Sequence, residues 1–295
     1  MERNEPESRS GGNESRGITF VVPCFNESPE VLLRTVTRLR DTASSAGWEH
    51  EVIVVDDASS RVSYDARSLG GASIVRHKVN RGYGASLATG LRHARHRWIG
   101  IIDADGTYPA EKFAEMLPLT AEYQMIVGAR RWEDIGWLRR IPKRCLTWLA
   151  SFLADRSIPD LNSGMRVFHR ELYDGHRRIY PDRFSFSSTL TMVGITSGFE
   201  VSFMNIDYFE RVGRSSIHPI KDPIRFGYQL LRLSLYFRPL RLFLPLSFAI
   251  GLGAVLRGLR DLQLNDHFGG LTLVLFFMSF QVFFFGLIAE IINKK

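Results

Sequence analysis

Ile18–Phe25 reads ITFVVPCF and Glu51–Ser59 reads EVIVVDDAS. Both are short runs, apolar at nearly every position and rich in β-branched residues, that close on polar or acidic ones. Runs of this kind predict strands buried on both faces, as in a parallel sheet. Ala72–Val75, Trp98–Ile102 and Met125–Val127 repeat the pattern. Helix-like segments lie between them. Pro29–Ala46 opens on a proline and brings Val31, Leu32, Val36 and Leu39 towards one side. Gly84–Arg97 and Pro109–Tyr123 are the next two. Alternation of strand and helix predicts an α/β domain with a mostly parallel central sheet, and chemistry at the carboxyl ends of the strands.

Outside this region the composition changes. Residues 1–16 are Ser, Gly, Glu, Asn and Arg without apolar period, and read as a disordered tail. Leu242–Leu259 is apolar except for Arg257, and Phe268–Ile292 contains only Gln281 and Glu290 as strongly polar residues. A membrane span needs about 20 apolar residues, so these predict two spans joined as a hairpin. Arg257 is expected to snorkel to the interface. Basic residues flank the outer ends, from Lys221 to Arg241 and at Lys294–Lys295, which predicts that both ends and the α/β domain lie on the cytoplasmic side. Asp222–Phe237 patterns as an amphipathic helix on the membrane surface. The expected organisation is a tail (1–16), a catalytic domain (17–220), a juxtamembrane helix (221–241) and a hairpin (242–295).

Of 295 residues, 45% are hydrophobic and 23% charged, which excludes a wholly disordered chain and a mainly transmembrane one. Two cysteines, Cys24 and Cys145, exclude a disulfide framework and a Cys-rich zinc site. A net charge of +7 calls for an anionic partner. With the basic residues set beside the spans, that partner is the bilayer surface. There is no nucleic-acid module, and no nucleic-acid partner is expected. Gly82 and Gly84 precede a helix, but one G-x-G does not make a dinucleotide site. The His93/His96 pair lacks supporting metal ligands.

The strand ends carry the chemistry. The first run ends in Pro23–Glu27, the second in Asp56-Asp57, the fourth in Asp103-Ala104-Asp105. In an extended segment residues i and i+2 point to the same side, so Asp103 and Asp105 can together hold Mg²⁺ or Mn²⁺, which in turn neutralises a diphosphate.

These stretches, with Asn80–Ser86, Gly128–Arg130 and Asp160–Arg166, occur in the order found in the family 2 inverting glycosyltransferases of the GT-A fold, which the chain closely resembles. The DLNSGMR segment at Asp160–Arg166 is similar to the polyprenyl-phosphate branch, which includes dolichol-phosphate mannose synthases and bacterial undecaprenyl-phosphate glucosyltransferases. The resemblance covers about Ile18–Ser216. It implies that Pro23, Phe25 and Glu27 line the nucleobase pocket, and that Asp56 or Asp57 binds base or ribose. Asp103 and Asp105 would hold the donor diphosphate through the metal, with Arg130 on the phosphates. It implies Asp160 as the catalytic residue, either a base or an orienting group. Arg140, Arg166, Arg211 and Arg214 would meet the acceptor phosphate. This chain departs from the family at Thr107, where relatives often have Gln, and at Ser216, where they often have Lys.

The implied reaction transfers one hexose, with inversion, from a nucleotide diphosphate sugar (UDP-hexose or GDP-mannose) to a polyprenyl monophosphate at the cytoplasmic face. Two alternatives stand beside it: a transferase with a non-lipid acceptor, and a non-catalytic nucleotide-sugar-binding membrane subunit. A processive synthase is excluded by the missing Q-x-x-R-W segment. A homo-oligomer is compatible with the sequence.

Overall fold

The computed structural model describes residues 16–131, 137–182, 185–209, 227–228, 231–232, 234–236, 238–265 and 267–293, with backbone alone at 137–143, 145–146, 265 and 293. Its seven strands are β1 (Gly17–Cys24), β2 (Glu49–Asp56), β3 (Ser73–Arg76), β4 (Trp98–Ile101), β5 (Met125–Arg130), β6 (Arg166–His169) and β7 (Val201–Ile206). They form one sheet in the order β3-β2-β1-β4-β6-β5-β7. All pairings are parallel except those of β6, which runs antiparallel to both β4 and β5.

The helices of the α/β part are α1 (Pro29–Ser45), α2 (Tyr83–His93), α3 (Phe113–Met116), α4 (Trp137–Ala154), α5 (Glu171–Asp174) and α6 (Phe186–Thr196). α1 starts at Pro29 and buries Leu32, Thr35, Val36, Leu39, Thr42 and Ala43, a stripe at helical spacing. The helix expected over Pro109–Tyr123 is broken. Turns at Ala110–Lys112 and Leu117–Ala121 flank a single turn of α3, and Pro118, which lacks an N–H, lies in the second. α2 ends at His93 rather than Arg97, because Ala94 is extended.

β1 is buried along its whole length. Ile18, Phe20, Val22 and Cys24 face one apolar cluster, with α1 and α3, while Val21 faces the other, with α2 and α6. This is the period-2 alternation of a strand covered on both sides. Each fully buried large side chain contributes about 1.5–3 kcal/mol, and β1, an interior strand between β2 and β4, buries several. β6 and β7 were not among the expected strands. β6 is four residues long and opens on an arginine; β7 alternates and includes Asn205.

Two long helices end the chain, α7 (Pro239–Asn265) and α8 (Gly270–Asn293). Both contain a stretch long and apolar enough to cross a membrane, Pro239–Leu264 and Gly270–Ile292, and little of either is buried. α7 continues through Pro245, extending the expected span at both ends. The turn is closed by Asp261, whose carboxylate accepts from the Gly269 N–H (3.0 Å) and the Thr272 hydroxyl (2.6 Å). Arg257 pairs with Asp261 (3.2 Å) and remains exposed. Of the expected juxtamembrane helix, 227–228, 231–232 and 234–236 are described and helical; the rest, like the tail 1–15, lies outside the described residues.

Candidate active site at the carboxyl edge of the sheet

β1, β2 and β4 are in register, with Cys24 opposite Asp56 and Val21 opposite Ile101. The segments after them therefore share one edge. Asn26 binds the first two loops together: its side-chain oxygen accepts from the N–H groups of Ser60 and Arg61 (both 2.9 Å), and its own N–H donates to Ser59 Oγ (2.8 Å). The Tyr64 hydroxyl adds a bond to Glu27 O (2.8 Å). Phe25 is 46% exposed on this wall. Pro23 is buried within β1, opposite Val55, and offers no surface to a base, contrary to expectation.

Asp56 and Asp57 are both buried, and their carboxylates are engaged by the protein. Asp56 accepts from the Ser59 N–H (2.9 Å) and Arg76 Nε (2.8 Å). Asp57 accepts from His77 Nδ1 (2.7 Å) and the N–H groups of Arg81 (2.8 Å) and Gly82 (2.7 Å). His77 Nε2 lies 2.9 Å from Thr89 Oγ1. A neutral imidazole with its proton on Nδ1 satisfies both neighbours. Gly82 has φ +100°, a conformation few other residues adopt, and it presents its N–H to Asp57 at the start of α2. The expected contact of this pair with base or ribose is thus replaced by a scaffold role: Asp57 fixes the glycine loop and Asp56 fixes the Ser59 turn.

Asp105 is buried as well, in the turn after β4. Asp103 is half-buried and accepts from the Tyr83 hydroxyl (2.9 Å). Burial, and then the charge of Asp103, hold the Tyr83 phenol well above its usual pKa, so it remains a donor. The backbone of Gly164 comes so close that a Cβ there would lie 2.3 Å from Asp103 Oδ2. Asp105 accepts from Thr107 N–H (3.1 Å) and Oγ1 (2.7 Å). Thr107 is therefore a buried support for Asp105.

Asp160 is fully buried, and Arg130 forks onto it, with Nε to Oδ2 at 2.7 Å and the second nitrogen to Oδ1 at 3.1 Å. The backbone N–H groups of Arg130 (3.3 Å) and Asn162 (3.2 Å) complete four donors to one carboxylate. The Arg130 guanidinium lies over the Tyr208 ring, 5.2 Å from its centroid, and Tyr208 meets Tyr108 edge-on. The Phe209 N–H donates to Thr107 O (2.9 Å), so the end of the described segment after β7 lies beside the Asp105 loop.

Arg166 requires a correction. It is fully buried, and its guanidinium donates to Ser187 O (2.8 Å), Thr191 Oγ1 (3.1 Å) and Ser163 O (2.5 Å). It ties β6 to α6 inside the domain and does not present itself to an acceptor phosphate. Arg211, Arg214 and the side chain of Arg140 lie outside the described residues. Sequence reasoning missed His77, Tyr83, Thr89 and Tyr208. A lone histidine between Arg76 and Lys78 gives no signal, and the role of Tyr83 depends on a helix placed 20 residues before its partner.

The sequence pattern of glycosyl transferase family 2 matches residues 19–177, more than half of the chain and all of this edge up to β6. The chain belongs to glycosyl transferase family 2. The GtrB C-terminal hairpin pattern matches residues 238–294 of this family 2 enzyme. A dolichyl-phosphate hexose transferase from Haloferax volcanii is 26% identical over 224 residues, 74% of this chain and 94% of that protein. Solved structures share the GT-A fold. Glucosyl-3-phosphoglycerate synthase from Mycobacterium tuberculosis, in complex with phosphoglyceric acid, is 20% identical over 74% of this chain and 80% of its own, with a TM-score of 0.56. The same enzyme with Mn²⁺, UDP and phosphoglyceric acid is 18% identical over 74% and 78%, TM-score 0.56. Mannosyl-3-phosphoglycerate synthase from Rubrobacter xylanophilus is 18% identical over 76% and 74%, TM-score 0.56. At this identity these structures speak for the fold alone.

Proposed function

We propose that this glycosyltransferase moves one hexose, with inversion, from a nucleotide diphosphate sugar to a polyprenyl monophosphate at the cytoplasmic membrane face. One observation carries the reading. The Asp103/Asp105 pair and the Arg130–Asp160 fork share the carboxyl edge of a family 2 domain that continues into a membrane-type hairpin. The relative from Haloferax volcanii, described as a dolichyl-phosphate hexose transferase, supports the lipid acceptor. The division into a catalytic domain (17–220), a juxtamembrane segment (221–241) and a hairpin (242–295) belongs to the same proposal.

A divalent ion fits the edge. Among the described residues no group of three His, Cys, Asp or Glu could hold a metal alone. Two carboxylates of hard oxygen donors suit Mg²⁺ or Mn²⁺ whose remaining ligands come from a diphosphate and water. Asp103 and Asp105 would hold it, and when bound it would supply Lewis-acid stabilisation of the leaving diphosphate. The Mn²⁺ and UDP in the mycobacterial synthase structure are consistent with this.

The chain's own residues do the rest. Phe25 offers the base an exposed aromatic face. Arg130 brings its charge to the donor phosphates from the position fixed by Asp160 and Tyr208. A phosphomonoester's second pKa is about 6, so the acceptor oxygen is already ionised near neutral pH. It attacks the anomeric carbon as the bond to the diphosphate breaks. No base is required, and Asp160, with four donors on its carboxylate, orients Arg130 instead of taking a proton. Arg140, Arg211 and Arg214 are assigned to the acceptor phosphate.

The test uses purified full chain in detergent with Mg²⁺ or Mn²⁺. It is given radiolabelled UDP-glucose or GDP-mannose and undecaprenyl or dolichyl phosphate. Label in the organic phase that disappears with EDTA supports the proposal. Label only on water or a soluble acceptor removes the lipid acceptor. Donor binding without turnover by folded protein leaves a non-catalytic subunit.

A further inference from the structure

We infer that the groove between the end of α4 and the start of α7 seats one anionic phospholipid of the bilayer, apart from the acceptor. This rests on the reading of α7 and α8 as membrane spans. The groove measures about 890 Å³, within the range of roughly 300–1,000 Å³ typical of ligand sites. One wall is the catalytic domain, with Phe152 and Arg156; the other is α7, with Arg241, Leu244, Pro245 and Phe248. With α7 in a bilayer, the Leu244–Phe248 end opens into hydrocarbon, and only a lipid chain is present there to fill it.

The other end is basic. Arg241 donates to Phe152 O (2.9 Å) and pairs with Asp155, and Arg238 donates to Ala154 O (3.4 Å). The two arginines thus cap the last carbonyls of α4 and fasten the hairpin to the domain. Arg156 donates to Val201 O (2.7 Å) at the amino end of β7. Arg156 and Arg241 line the groove with Asp155, and Arg238 lies beside them at the end of α4. Each guanidinium has five N–H donors, more than these bonds engage, so the collar can take a phosphate. Val201 pairs with Met125 while Arg130 pairs with Ile206, so the collar lies towards the sheet edge opposite Asp103 and Asp105, and its lipid is not the reacting one. Beside the groove, Trp148 is 68% exposed and stacks on Phe152, with centroids 6.0 Å apart. A tryptophan exposed next to a span is typical of the headgroup layer.

Native mass spectrometry of the full chain in detergent tests the site, with phosphatidylglycerol or phosphatidylcholine of the same chains added. The expected result is one retained phosphatidylglycerol per chain, with at least a tenfold preference over phosphatidylcholine. Retention should fall at least tenfold in the Arg238→Ala/Arg241→Ala double variant. It should fall equally in Leu244→Trp, which fills the groove and keeps every charge. Equal retention of both headgroups, or full retention in Leu244→Trp, overturns the proposal. So does one-for-one displacement by undecaprenyl phosphate, which would give the groove to the acceptor. A Phe276→Trp variant in bilayers with brominated chains separates the two levels. Without added quenching the hairpin is not in the membrane; with it, and no retained phosphatidylglycerol, only the lipid site fails.

Discussion

Asp56-Asp57 and Asp103-x-Asp105 look alike as acidic strand ends, yet the structure uses them oppositely. Adjacent residues at the end of a strand point to opposite faces. Asp56 therefore meets Ser59 and Arg76, and Asp57 meets His77 and the start of α2. Both become buried joints. Asp103 and Asp105 follow the end of β4, the first half-buried and held by Tyr83, the second buried in a turn and held by Thr107. The first pair is scaffold, and the second is the one proposed to hold the ion.

The comparison can be broken by substitution. The largest effect is expected for Asp105→Ala, which should lower transfer by about 100-fold or more, as loss of preorganised transition-state stabilisation does. Thermal unfolding should shift by only a few degrees. Asp57→Ala should do the reverse. It strands the His77 ring and two backbone N–H groups, at a cost of about 2–4 kcal/mol, read by denaturant unfolding. Turnover by the surviving folded fraction should fall less than tenfold. If Asp57→Ala is as stable as the parent but inactive, the scaffold reading is wrong.

Arg166→Met sharpens the same contrast on the acceptor side. It removes the guanidinium from the carbonyls of Ser163 and Ser187, of which Ser187 O keeps the Thr191 hydroxyl (3.0 Å), and stability should drop by about 1–3 kcal/mol. The KM for lipid acceptor should stay within twofold; a tenfold rise would return Arg166 to the acceptor site. The smallest effect concerns Cys24, opposite Asp56. Burial pushes its thiol from 9.0 up to about 11. The folded chain holds this proton where the unfolded chain has lost it, so this contribution is intact below pH 9 and is lost as pH rises towards 11. In a Cys145→Ser background, labelling by a thiol reagent near pH 7.5 should be slow, and should become fast in denaturant.

Much of this was legible in the sequence. Five of the six parallel strands announced themselves as apolar runs, and the hairpin as two long ones. β6 did not, because its interior position is occupied by an arginine that reads as surface until Ser163, Ser187 and Thr191 are seen around it. The same blindness assigned Arg166 to the acceptor. Pro23, Asp56 and Asp57 were placed on the right edge, but a motif does not say which side of the edge a side chain takes. Asp160 and Arg130, 30 residues apart, carried no sign of being partners; the fork between them exists only because β6 turns back.

That reversal ties the edge to a late part of the chain. A sheet that stayed parallel could display a nearly finished edge while its chain was still being made. Here the segment from Asp160 to Gly164, which meets both Arg130 and Asp103, is set by a strand laid between two that precede it in the chain. Placing that strand therefore closes the middle of the sheet and sets the Asp160–Gly164 segment against Arg130 and Asp103 together.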